Sequence, residues 1–76
     1  MNIKIYSTPT CPYCKMAKAY FKEKGLEYED IDVSANEVAR KEAVEKSGIV
    51  GVPIIDIDGQ IVAGFDKEKI NQLLNL

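Results

Sequence analysis

Asp58-Gly59 is the pair that most narrows what this chain can fold into. It separates two runs, Ile54-Ile55-Asp56-Ile57 and Gln60-Ile61-Val62-Ala63, and Asp-Gly accepts the positive φ angles of a two-residue hairpin turn. Those two runs therefore pair antiparallel. The first half of the chain asks for something else. Asn2 to Tyr6 alternates polar and apolar, with Ile3 and Ile5 on one face, and reads as a strand. Ser7 to Thr10, with Pro9, is a loop. A helix follows from Cys11, with Pro12 suited to its first position and Gly25 to its C-terminal cap. Leu26 to Val33 is a second strand. Strand, helix and strand in that order favour parallel pairing through a right-handed crossover, so the sheet must be mixed.

The rest of the pattern completes the domain. Ser34-Ala35-Asn36-Glu37 fits a capping box, opening a second helix that runs to about Ser47 and stops at Gly48. Ile49 to Val52 leads to Pro53 and the third strand. Asp66 is placed to cap a last helix carrying Ile70, Leu73 and Leu74. The order β-α-β-α-β-β-α gives an α/β fold, a four-stranded mixed sheet with three helices, spanning 1–76 as a single domain. The inward residues expected are Met16, Ala19, Tyr20 and Phe21 on the first helix and Val38, Ala39, Ala43 and Val44 on the second. Tyr28, Ile31 and Val33 turn inward from the second strand.

Composition excludes several functions. With 46% apolar and 29% charged residues over 76 positions, the chain is ordinary globular material. A net charge of −2 argues against nucleic acid as a partner, and Lys15, Lys18, Lys22 and Lys24 fall on the solvent side of the first helix. The start, Met1 to Tyr6, lacks the features of a signal peptide, and no run approaches about 18 apolar residues, so no membrane is implied. The expected location is the reducing cytoplasm, where a Cys-x-x-Cys pair is more often catalytic than structural. There is no histidine, which removes histidine triads, histidine proton shuttles and most mixed-ligand zinc sites.

The chemistry is concentrated in Thr10-Cys11-Pro12-Tyr13-Cys14, which holds both cysteines of the chain. A thiol at a helix N-terminus faces unpaired N–H groups and the positive end of the helix dipole, and both favour the thiolate, the reactive form. Cys11 is accordingly the exposed nucleophile. Cys14, one turn inside the helix, is shielded, more protonated, and placed to attack a mixed disulfide formed on Cys11. The competing reading is a metal or iron–sulfur module. Two cysteines without histidine cannot supply four soft ligands within one chain. Carboxylates or a second chain would have to complete such a site, nothing in the spacing asks for either, and no metal is expected. Asp56-Ile57-Asp58-Gly59 lacks the spacing of a calcium loop and is explained by the hairpin. Pro53 at the start of a strand is a common edge-strand placement, and its sequence context alone favours a trans bond.

With these features in place, the chain resembles the glutaredoxin family. The likeness rests on Cys11-Pro12-Tyr13-Cys14 after the first strand, Gly51-Val52-Pro53, Asp58-Gly59 in the hairpin, and Gly64-Phe65-Asp66 before the last helix. It implies a thioredoxin fold with a cis Val52–Pro53 bond. It also implies a thiol–disulfide oxidoreductase that reduces protein disulfides or glutathionylated cysteines, with glutathione as co-substrate, no bound cofactor, and a monomeric state. By the same resemblance Val52 offers backbone hydrogen bonds to the substrate cysteine, and Tyr13 lines the groove. The Gly64-Phe65-Asp66 turn meets the γ-glutamyl end of glutathione. Two departures stand out. Thr8 holds the position where glutaredoxins usually carry Lys or Arg, and Gly64-Phe65 resembles the NrdH-type redoxins, which are reduced by a flavoprotein, thioredoxin reductase. The electron donor is open between these two.

Overall fold

The computed structural model describes residues 2–49 and 51–75. Met1 in the opening run, Val50 in the approach to Pro53, and Leu76 at the end of the expected domain lie outside the described residues. Within them the elements follow the expected order. They are β1 (Ile3–Ser7), α1 (Pro12–Glu23), β2 (Glu29–Asp32), α2 (Glu37–Ser47), β3 (Ile54–Ile57), β4 (Gln60–Ala63) and α3 (Lys67–Leu74). The sheet order is β2-β1-β3-β4, with β1 and β2 parallel and the other two pairings antiparallel. The β3–β4 turn is made by Asp58 at φ 50° and Gly59 at φ 90°, the conformation that selects Asp-Gly.

Alternation along the strands divides the core between the two faces of the sheet. Ile3, Ile5, Ile55, Ile57 and Val62 point to one face, where Ala17, Tyr20 and Phe21 of α1 and Ile70 and Leu74 of α3 cover them. Tyr6 and Ile54 point to the other, where Ala39 and Ala43 of α2 and the neighbouring Val33 pack.

Three expectations are corrected. On α1 the inward stripe is Cys14, Ala17, Tyr20 and Phe21, whereas Met16 is 50% exposed and Ala19 also faces solvent. At 100° per residue, turning Cys14 inward carries Met16 to the opposite side of the helix. On α2 the capping box does not form. Asn36 is the N-cap, its Oδ1 accepting from Ala39 N–H at 3.1 Å, while the Ser34 hydroxyl donates instead to Asp32. Val38 is consequently 76% exposed, and the two alanines make the contact. Finally, β1 extends through Ser7, and β2 is confined to Glu29–Asp32 because it forms a charged edge, with Leu26 and Tyr28 packing from the loop before it.

Small alanines make a thin contact, and α2 is fastened by charge as well. Lys46 Nζ lies 3.0 Å from Glu42 Oε1 and 3.0 Å from Asp56 Oδ2, and donates to the Tyr6 hydroxyl at 3.2 Å. That hydroxyl donates in turn to Glu42. Hydrogen bonds to Asp56, then to Glu42 and Tyr6, hold the Lys46 ammonium above the usual lysine range. Asp56 sits on a central strand and is 8% exposed; its Oδ1 accepts from Gly59 N–H at 2.8 Å, and its Oδ2 depends on Lys46. Lys46→Met should cost about 1–3 kcal/mol, because it leaves a buried acceptor unpaired. Urea denaturation of the two proteins measures the difference, and the double variant Lys46→Met with Asp56→Leu should recover only part of it, since Gly59 N–H then loses its acceptor.

Candidate active site

α1 opens on Cys11, which occupies the N-cap with φ −86° and ψ 113°, and Pro12 takes the first helical position. A sulfur thus stands where a hydroxyl or carboxylate usually caps a helix. Cys14 N–H donates to Cys11 Sγ at 3.2 Å, and Cys11 N–H closes the preceding turn on the Thr8 carbonyl at 3.4 Å. Both cysteines are free thiols, Cys11 half-buried and Cys14 fully buried. Burial, and then the hydrogen bond with Cys11, push the Cys14 thiol up to about 11, against the Thr8 backbone and the Lys18 ammonium, which pull it down. Cys14 is therefore protonated at neutral pH. The two thiols are unequal, as the sequence reading requires.

The second wall comes from the start of β3. The β1–β3 register sets Tyr6 opposite Ile54, so the chain leaving β1 toward Cys11 runs beside the chain entering β3. The Val52–Pro53 bond is cis, as the family resemblance implied and against the trans preference of the isolated sequence. The Cys11 thiol faces the Val52 carbonyl at 3.9 Å. Pro53 accepts from Gly64 N–H at 2.8 Å, which ties the Gly64-Phe65-Asp66 turn to the same wall.

Beside Cys11 lies a cleft of about 320 Å³ whose lining includes Thr8, Val33, Arg40, Gly51 and Val52. Thr8 and Val52 border this cleft and also touch Cys11 through their carbonyls, while neither cysteine lines the cleft itself. Tyr13 stands out from the first turn of α1 and is 61% exposed. Phe65 turns toward the core, its ring 5.9 Å edge-on to Tyr20, and is half-buried. Asp66 caps α3 by accepting from Lys69 N–H at 3.2 Å. Arg40, the one arginine of the chain, went unnoticed in the sequence. The available signal was its place on α2 one turn before Val44, a half-buried position on the same helix face. Among the described residues there is no group of three or more His, Cys, Asp or Glu side chains that could hold a metal, and no helix long and apolar enough to cross a membrane.

The glutaredoxin family profile matches residues 3–62, which covers the dithiol, the cis proline and the hairpin. The chain belongs to the glutaredoxin family. It is similar to a glutaredoxin-like 8.6 kDa protein of the rubredoxin operon of Clostridium pasteurianum, with 47% identity over 95% of this chain and 96% of the relative. Among solved structures, a mutant of the thioredoxin-like protein BC3987 superposes with a TM-score of 0.91 at 38% identity, covering 97% of this chain and 95% of that one. The NrdH-redoxin of Escherichia coli, a glutaredoxin-like protein with a thioredoxin-like activity profile, gives 0.84 at 29% identity over 96% and 95%. This glutaredoxin-family chain thus has the thioredoxin fold, and its family chemistry is thiol–disulfide oxidoreduction.

The difference between the thiols is directly measurable. Iodoacetamide at neutral pH should alkylate Cys11 and spare Cys14, with modification of Cys14 rising only as the pH approaches 11. Peptide mass mapping across a pH series reads both sites.

Proposed function

We propose that this protein reduces protein disulfides and glutathionylated cysteines through Cys11, with Cys14 as the resolving thiol and glutathione as the reducing co-substrate. The observation that carries this reading is the asymmetric pair, one sulfur capping the helix at the surface and the other buried and protonated a turn below. The Cys11 thiolate attacks the substrate disulfide, and the Cys14 amide donates to the Cys11 sulfur while it bears charge. The displaced sulfur leaves and a mixed disulfide remains on Cys11. Cys14 then closes the Cys11–Cys14 disulfide, or glutathione resolves the mixed disulfide in a one-cysteine route. Only the two sulfurs are needed, with no bound cofactor.

The cleft suits a small thiol peptide carrying carboxylates. Val52 presents backbone to an extended cysteine-containing segment. Arg40 supplies the cation that Thr8 does not, and a guanidinium can take a carboxylate through two hydrogen bonds. The start of α3, brought close by the Gly64–Pro53 hydrogen bond, is a second place for an anionic end, with Phe65 and Asp66 shaping it and Tyr13 flanking Cys11. A protein that must be returned to its dithiol form belongs in the reducing cytoplasm, and we assign it there as a monomer.

A second reading is favoured by Thr8 and by the NrdH-redoxin likeness. In it, the chain is an electron carrier reduced by thioredoxin reductase. NADPH oxidation with a glutathione mixed disulfide separates the two: turnover with glutathione and glutathione reductase supports the first, and turnover with thioredoxin reductase alone supports the second. Under the first, Cys11→Ser abolishes all activity and Cys14→Ser keeps deglutathionylation while losing reduction of protein disulfides. Arg40→Ala should raise KM for the glutathionylated substrate by about tenfold, the loss of one charge-assisted contact, with kcat little changed.

A further inference from the structure

The sequence pattern places Lys18 with the solvated lysines of α1, and the structure separates it from them. Lys15, Lys22 and Lys24 are exposed, but Lys18 lies half-buried with its Nζ 2.9 Å from Asp30 Oδ2. Its side chain is 23% exposed, against 49% for that of Asp30. Asp30 is held from its other oxygen by Ser7 Oγ, which donates at 2.9 Å from a residue only 1% exposed. Ser7 is the last residue of β1, just before the loop to Cys11, and Asp30 is on the parallel neighbour β2. Lys18 follows Cys14 by four residues, so the two share one face of α1. A partly exposed ion pair contributes little stability, and packing alone gives no reason to end it on a buried serine.

We propose that the Ser7–Asp30–Lys18 chain fixes a positive charge beside the buried Cys14 thiol and so promotes its ionisation when it resolves the mixed disulfide. This rests on the reading of Cys14 as the resolving thiol. In that step the Cys14 sulfur forms a bond to the Cys11 sulfur and the bond from Cys11 to the substrate sulfur breaks. The substrate sulfur leaves with the electron pair and takes up the proton that Cys14 gave to solvent. The Cys11–Cys14 pair is oxidised, and the substrate disulfide is reduced.

The surrounding charges agree with this role. Burial and Cys11 oppose ionisation of Cys14, and the two influences in its favour are the Thr8 backbone and Lys18. Lys15 on α1 is exposed, and the carboxylates near Lys18 on β2 are Asp30, paired with it, and Asp32, which is held low first by its hydrogen bonds from Ser34 and only last by Lys18. The carboxylate of Asp30 holds the ammonium at 2.9 Å, and its own negative charge offsets part of the effect on Cys14. Lys18 is thus a positioning residue: it acts on Cys14 and touches no substrate.

The test isolates Cys14 in a Cys11→Ser background, where its titration is read from the pH dependence of the alkylation rate. Lys18→Met should move that titration to higher pH, and Lys18→Arg should restore it. Ser7→Ala, which keeps both charges but releases one oxygen of Asp30, should move it the same way by less, and Lys18→Gln serves if Lys18→Met does not fold. Each pH unit of upward shift removes tenfold of thiolate and returns roughly threefold in nucleophilicity, so resolution should slow by about threefold per unit. That slowing should appear in reduction of protein disulfides with both cysteines present. It should vanish in the one-cysteine route of Cys14→Ser, where Lys18→Met changes nothing. A titration unmoved by Lys18→Met and Ser7→Ala overturns the inference, as does equal slowing of both routes. Because the titration uses a chain that cannot turn over, it stands apart from the proposed reaction, whose failure would show only in the assays.

Discussion

The antiparallel register between β1 and β3 is the constraint on which the rest of this molecule depends. Ile5 faces Ile55 and Tyr6 faces Ile54, all buried at the centre of the sheet. A slip of one residue would reverse which side chains meet α1 and which meet α2, so the register is held by both cores at once. Because the strands run in opposite directions, the exit of β1 lies beside the entrance of β3. That is how Cys11 and Val52, 41 residues apart, come within 3.9 Å.

On that frame, the inequality of two identical side chains follows from where each stands on one helix. The N-cap sulfur of Cys11 meets an N–H donor and remains accessible, while the Cys14 sulfur points into the core beneath it. Burial outweighs the opposing influences on Cys14, and its thiol keeps its proton well above neutral pH. In the reaction we propose, this one turn of helix separates attack from resolution. The inferred role of Lys18, held by Asp30 and Ser7, is to adjust that balance.

The far face of the sheet works by different physics. Its helix, α2, contributes two alanines to the core and is fastened to Asp56 and Tyr6 through Lys46. The thin contact leaves room for the cleft between α2 and the cis-proline loop, and Arg40 reaches that cleft from the first turns of the helix. Stability on this side is bound to a charged cluster, while stability on the α1 and α3 side is apolar.

The sequence by itself determined the element order, the hairpin, the mixed sheet and the dithiol, because each rests on neighbours in the chain. Asp58-Gly59 makes its own turn, and Pro12 starts its own helix. Local signals failed where two choices were equally good locally. Met16, Ala17, Ala19, Tyr20 and Phe21 permit more than one inward phase for α1, and only the burial of Cys14 selects one. Ser34 and Asn36 are both good caps, and Asp32 decides between them by taking Ser34. The tertiary structure alone decided the partners that lie far apart in sequence: Val52 against Cys11, Arg40 in the cleft, Lys18 on Asp30. Side-chain periodicity reports which face of an element is buried. It carries no information on which distant residue will meet it there, and that depends on strand order and register.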